Sequence, residues 1–145
     1  MRRTAGFTLV ELVVIIVILG ILAVVALPRM DTSGYRAVEF HDRMLAGLRY
    51  AQKTATSHRR QVCVTFPDVR TAVFQIDTDK IGGCDTALLV PGGSTNQVVS
   101  GDASVGFGAL PAAVVFATNG TSTDRTITIS GGASITVVGA TGHVF

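Results

Sequence analysis

Tryptophan is missing and the aromatics together make up only 6% of the chain, which leaves little material for an aromatic-lined ligand cleft. Charged residues are also scarce, at 15%. Cys63 and Cys84 are the whole thiol supply. They form no C-x-x-C pair and stand beside no histidines at zinc spacing, so no metal site is expected from them. His41, His58 and His143 are scattered, and no G-x-S-x-G accompanies them. Gly106-Phe107-Gly108 lacks the lysine and spacing of a phosphate loop. Asp77, Asp79 and Asp85 around Gly82-Gly83 invite a calcium reading, but the spacing departs from an EF-hand and no glutamate closes it. No catalytic constellation, cofactor or metal is expected, and the chain reads as the substrate of an enzyme rather than as one.

What the chain has is apolar residues, 48% of 145, and they are unevenly spread. From Leu12 to Leu27 every residue is apolar or glycine, and the remainder is polar and rich in Gly, Ser and Thr. This is one domain with at most one appended helix. The formal charge of +2 comes from Arg2 and Arg3. Between Arg29 and Arg60 there are seven Lys/Arg against three Asp/Glu, and from Gln61 to Phe145 three against six. A basic helical half thus meets an acidic sheet half.

Three readings compete for the N-terminal segment. Residues 7–27 as a helix reach roughly 32 Å at ~1.5 Å per residue, enough for a bilayer core, and Arg2 and Arg3 would hold the leader in the cytoplasm. A secretory signal peptide has the basic start, the apolar stretch and a cleavage site at Val24-Val25-Ala26. A plain membrane anchor explains the same features. Both leave Glu11 without a task. A charge near the centre of a membrane helix costs ~2.5–3.5 kcal/mol, less near an end, and an acid in such a run is by default functional.

The segment Gly6-Phe7-Thr8-Leu9-Val10-Glu11-Leu12, with a basic leader before it and an apolar run after it, resembles the processing and methylation motif of type IV prepilins and type II secretion pseudopilins. The resemblance implies that a membrane aspartyl peptidase cuts between Gly6 and Phe7 and methylates the new amine of Phe7. It also implies that the apolar helix is kept and packs beside those of other pilins or pseudopilins. In that dry core the Phe7 amine needs an anion, and Glu11 of a neighbour can supply it. A buried pair adds little net stability but fixes stagger.

Pro28 closes the apolar run and Gly20 lies inside it, so a kink between them is expected, with the helix continuing past the proline. Asp31-Thr32-Ser33-Gly34 is a second weak stretch. From Tyr35 to about Ser57, Ala37, Phe40, Met44, Leu48, Ala51 and Ala55 recur at three- and four-residue steps, with Leu45 widening the stripe. Glu39 and Arg43 form an i,i+4 pair. His58-Arg59-Arg60 ends the helix, either as cations offsetting its dipole or as a basic ligand patch for DNA or an acidic neighbour. The pattern then alternates. Strands are expected at 62–66 and 72–76 around the turn Pro67-Asp68-Val69-Arg70, at 98–99, 105–107 and 114–117, and in a hairpin of 126–130 with 134–138. Residues 142–145 close the set, and Asn119-Gly120 marks a turn.

Leu48-Arg49-Tyr50-Ala51-Gln52, Val115-Phe116-Ala117-Thr118-Asn119-Gly120, Ile135-Thr136-Val137-Val138 and Gly142-His143-Val144 resemble the subgroup of pseudopilin H and the minor pilins FimT and FimU. Such proteins often have arginine where His143 stands. Some DNA-uptake members carry a basic glycine-arginine motif at this end, which is missing here and counts against DNA as a partner. The fold expected is α+β, a long N-terminal helix packed on an antiparallel sheet domain. It divides into leader 1–6, membrane and filament-core helix 7–28, amphipathic helix 29–60 and periplasmic β domain 61–145. The expected location is the inner membrane, then the filament. The role expected is filament initiation or tip, with a pilus-tip binding module such as a DNA-uptake receptor as the alternative. Export favours a Cys63–Cys84 disulfide over two reduced thiols.

Overall fold

The structure, a computed structural model, describes residues 6–26, 33–79 and 81–145. It forms two compact units that meet in sequence between Thr32 and Ser33.

The first unit is a helix, α1 (Leu9–Ala26). Thr8 starts it: its carbonyl accepts from the Leu12 N–H at 3.1 Å and its hydroxyl accepts from the Glu11 N–H at 3.2 Å. This is an N-cap: its carbonyl takes the first intrahelical bond and its hydroxyl satisfies one of the orphan donors. α1 runs unbroken through Gly20. The kink expected at Pro28 lies outside the described residues, as do Arg2 and Arg3. Every described residue from Gly6 to Val24 is exposed, so the helix presents an apolar surface on every side. Its 18 residues rise about 27 Å, against about 30 Å of hydrocarbon. Among the described residues no helix is long and apolar enough to cross a membrane.

The second unit packs one helix, α2 (Ser33–His58), on two antiparallel sheets. The expected stripe is the one buried: Ala37, Phe40, Met44, Leu48, Ala51 and Ala55 are all in the core, and Leu45 is packed against it. Gly47 stands between Met44 and Leu48 on the same face. A Cβ there would lie 2.8 Å from Cζ of Phe74, so a strand side chain occupies the space that a methyl group would need. Glu39 and Arg43 pair at 3.8 Å on the exposed side.

The first sheet comprises β1 (Val62–Asp68), β2 (Thr71–Ile76), β3 (Thr86–Ala87), β4 (Gln97–Val99) and β5 (Val114–Phe116). Its order is β3-β2-β1-β5, with β4 sharing the outer edge of β2. The second is β6 (Arg125–Thr128), β7 (Ser134–Val138) and β8 (His143–Val144), in that order. Three expectations change. The first turn is shorter than expected: Pro67 and Asp68 belong to β1 across a bulge, because the Asp68 carboxylate accepts from the Arg70 N–H at 2.7 Å and closes the turn locally. β3 is a two-residue strand in a region with no alternating pattern. Residues 105–107 make only one bridge, Phe107 to Ile129.

Phe107 joins the two sheets. Its N–H donates to the Val69 carbonyl at 2.6 Å, and its ring packs on Phe40 (5.2 Å between centroids) and edge-on to Phe66 (5.1 Å).

Candidate functional site

The N-terminal candidates are brought together by adjacency alone. Thr8 is the N-cap and Glu11 the third helical residue, the spacing of a capping box. The T-x-x-E spacing is a signal that could have found this cap, of which the Thr8 half is formed among the described residues. A carboxylate in a first turn gains about 0.3–1 kcal/mol from the helix dipole, which offsets part of its cost in a dry setting. Gly6 has open space around its Cβ position, so the subunit fold does not demand a glycine there. Phe7 is 68% exposed.

In the second unit, the sequence-distant segments that carried the finer resemblance converge. The Arg49 side chain donates to the Val144 carbonyl at 3.0 Å, and Gln52 donates to the Thr141 carbonyl at 2.8 Å. The turn 117–120 and Gly142 are in direct contact: a Cβ on Gly142, whose φ is +65°, would sit 1.8 Å from the Gly120 carbonyl oxygen. These motif residues clamp the last hairpin to α2. They are fold determinants, and His143 beside them is exposed.

Cys63 and Cys84 are disulfide-bonded, with Cα atoms 5.9 Å apart. The bond ties the 77–85 loop to β1. The same loop is braced twice more. Asp85 accepts from the Thr78 N–H at 2.8 Å and the Thr78 hydroxyl at 2.7 Å, and the Thr78 hydroxyl holds its carboxyl below the ordinary value of 3.8, helped by that N–H. The Arg60 guanidinium donates to the carbonyls of Asp77 and Thr78. The acids considered for calcium serve this loop: Asp79 accepts from the Ile81 N–H, and Asp77 is buried. Among the described residues no group of three His, Cys, Asp or Glu is placed to hold a metal.

The His58-Arg59-Arg60 patch is split by the way α2 ends. His58 is the last helical residue. Arg59 takes a left-handed backbone, φ +51°, and the Arg60 N–H returns to the Ala55 carbonyl at 3.1 Å. This is a Schellman ending with arginine where glycine is usual. It stops α2 two residues short of the expected end at Arg60. Arg59 and Arg60 then line an open cavity of about 800 Å³ with Gln61, Asp77, Thr118 and Asn119, while His58 is not in its lining. Apart from its two arginines the cavity has no signal in the sequence, because three segments far apart in the chain build it.

Comparison with known proteins bears on both regions. The Prokaryotic N-terminal methylation motif matches residues 1–27, and the profile of the family described as Type II transport protein GspH matches residues 42–142. No curated protein sequence matches the chain. Among solved structures the fold is similar to the type IV minor pilin FimU of Pseudomonas aeruginosa, at 18% identity, covering 79% of this chain and 90% of that one with a TM-score of 0.58. It is also similar to the minor pseudopilin EpsH from the Type 2 Secretion System of Vibrio cholerae, at 15% identity, covering 76% and 94% with a TM-score of 0.57.

Proposed function

The chain belongs to the Type II transport protein GspH family as a minor pilin or pseudopilin, and on that premise we propose that it is cut after Gly6, methylated on Phe7 and held in a filament by α1. One observation carries the reading: α1 is exposed and apolar on every face, with a single acid, Glu11, in its first turn. A helix apolar all round needs a dry surrounding, either lipid or other helices. An acid at its end is tolerated best when a cation meets it there, and a freshly cut Phe7 amine of a neighbouring subunit is such a cation. The pair fixes the stagger between subunits. Family membership implies assembly with other pilins. The processing peptidase is the further partner, and filament initiation or tip is the place we assign.

Glu11→Val removes the charge and keeps the helix apolar. The variant is expected to insert in the membrane as well as the parent and to be absent from sheared filaments. Glu11→Gln, which preserves hydrogen bonding, should be nearly as defective. Normal incorporation of either variant, or a native product whose mass still includes residues 1–6, refutes the reading.

A further inference from the structure

The end of α2 combines three features that the assembly reading does not use. Arg59 holds a left-handed backbone that arginine rarely adopts and glycine adopts freely. Among the described residues its guanidinium makes no hydrogen bond or ion pair. It lines an open cavity of about 800 Å³. The cavity wall is also set in advance: the Cys63–Cys84 bond, the Asp85–Thr78 pair and the Arg60 contacts to the Asp77 and Thr78 carbonyls all fix the 77–85 loop. On the facing turn, Asn119 spends its side-chain oxygen on Thr121, accepting from the N–H at 3.1 Å and the hydroxyl at 2.7 Å. Its amide nitrogen makes no hydrogen bond among the described residues.

We propose that this cavity is a carboxylate-binding site. Arg59 supplies a planar two-donor fork that matches a carboxylate, and Asn119 and Thr118 bring further donors to the same lining. Arg60, already committed to backbone carbonyls, holds the wall and adds positive potential. The charge balance selects the ligand. Among the described lining residues one cation, Arg59, is uncommitted, and Asp77 in the same lining limits the negative charge the cavity can accept, so a single carboxylate suits it better than a polyanion. A nucleic-acid backbone needs a run of cations along a track, and residues 61–145 carry six acids against three bases. The carboxylate comes from an acidic protein segment or from a small di-acid. Carboxylate binding at this cavity is independent of filament formation.

The test uses the full chain in detergent micelles, with calorimetric titration of three probes: an end-blocked peptide of alternating Asp and Gly, sodium succinate, and a single-stranded oligodeoxynucleotide. The parent is expected to bind the peptide or succinate. Arg59→Gly should weaken that binding at least about tenfold, which corresponds to about 1.4 kcal/mol, while its thermal midpoint stays level or rises. Arg59→Lys should lose a smaller part. Tighter binding of the peptide assigns an acidic protein segment, and binding of succinate alone assigns a small di-acid. If Arg59→Gly lowers the thermal midpoint, Arg59→Asn, also tolerant of a left-handed backbone, takes its place in the comparison. The proposal is overturned by no binding of peptide or succinate at millimolar concentration. Unchanged binding in the Arg59 variants overturns it too, as does tighter binding of the oligonucleotide than of either carboxylate probe.

Discussion

At the scale of single residues, the tightest constraints fall on glycines that no periodicity singles out. Gly47 lies where the ring of Phe74, fully buried, meets α2. Alanine there gains about 1 kcal/mol of helix propensity, but its methyl group has to displace a ring enclosed on all sides, and such overpacking costs ~1–3 kcal/mol. Gly47→Ala is therefore expected to destabilise the fold by about 1 kcal/mol, seen as a lower urea midpoint at unchanged slope. Trimming the ring with Phe74→Leu should make the alanine less harmful. Gly142 is tighter still, since the obstacle is a backbone oxygen that cannot rotate away. Arg59 is the opposite case: glycine would fit its backbone better, and the side chain present is the one the cavity needs.

At the scale of elements, the 77–85 loop is the one that local sequence says least about and that the structure braces most. Its disulfide closes a loop of 21 residues' separation, for which the chain-entropy account gives about 3 kcal/mol. Reduction, or Cys63→Ser with Cys84→Ser, should lower the thermal midpoint by several degrees and speed proteolysis within 77–85 ahead of the rest of the domain. The Asp85 carboxyl is depressed below 3.8, first by the Thr78 hydroxyl and then by the Thr78 N–H. A depressed carboxyl adds stability that is fully present above the unfolded value and is lost as the pH falls through the folded one. Amide exchange at Thr78 should then stay slow through mild acid and accelerate only below 3.8. Asp85→Asn should flatten that pH dependence, and an identical pH profile in the variant would refute it.

Elements also show what was legible in the sequence. The α2 stripe and the β6–β7 hairpin could be read because one face of each is buried against a single core, so the period of burial is the period of the sequence. Glu11 stood out because one charge interrupts an apolar run, whereas the Gly6-Phe7 step is proposed only through the resemblance of residues 6–12 to a processing motif. β3 was not legible: two residues carry no period, and Thr86 and Ala87 pair with β2 by backbone hydrogen bonds alone while both stay exposed. The turn at Val69-Arg70 was placed correctly but drawn too wide, since a bulge admits Pro67 into a strand. The cavity could not be read beyond its two arginines, because residues 59–61, Asp77, Ile81, Gly82 and residues 118–119 meet only through the tertiary fold.

At the scale of the whole molecule, the two units answer to different solvents. The second has its own core, running from Ala37 on α2 to Val144 on β8, and no residue of α1 belongs to it. Residues 33–145 expressed alone are therefore expected to be a water-soluble monomer, with a thermal midpoint within a few degrees of the same unit in the full chain held in micelles. Aggregation of that fragment, or a midpoint far below it, would show that the β domain relies on the anchor.

The bare, greasy surface of α1 has an energetic consequence. A rod that leaves lipid tails for the flanks of sister rods trades one oil for another, so dehydration gives it almost no reason to move. The incentive has to come from close van der Waals fit, from the proposed pairing of Glu11 with a neighbour's terminal amine, or from work done on the subunit by a machine. A filament built this way should be lengthened by pulling subunits out of the bilayer, and left alone in lipid they should stay dispersed.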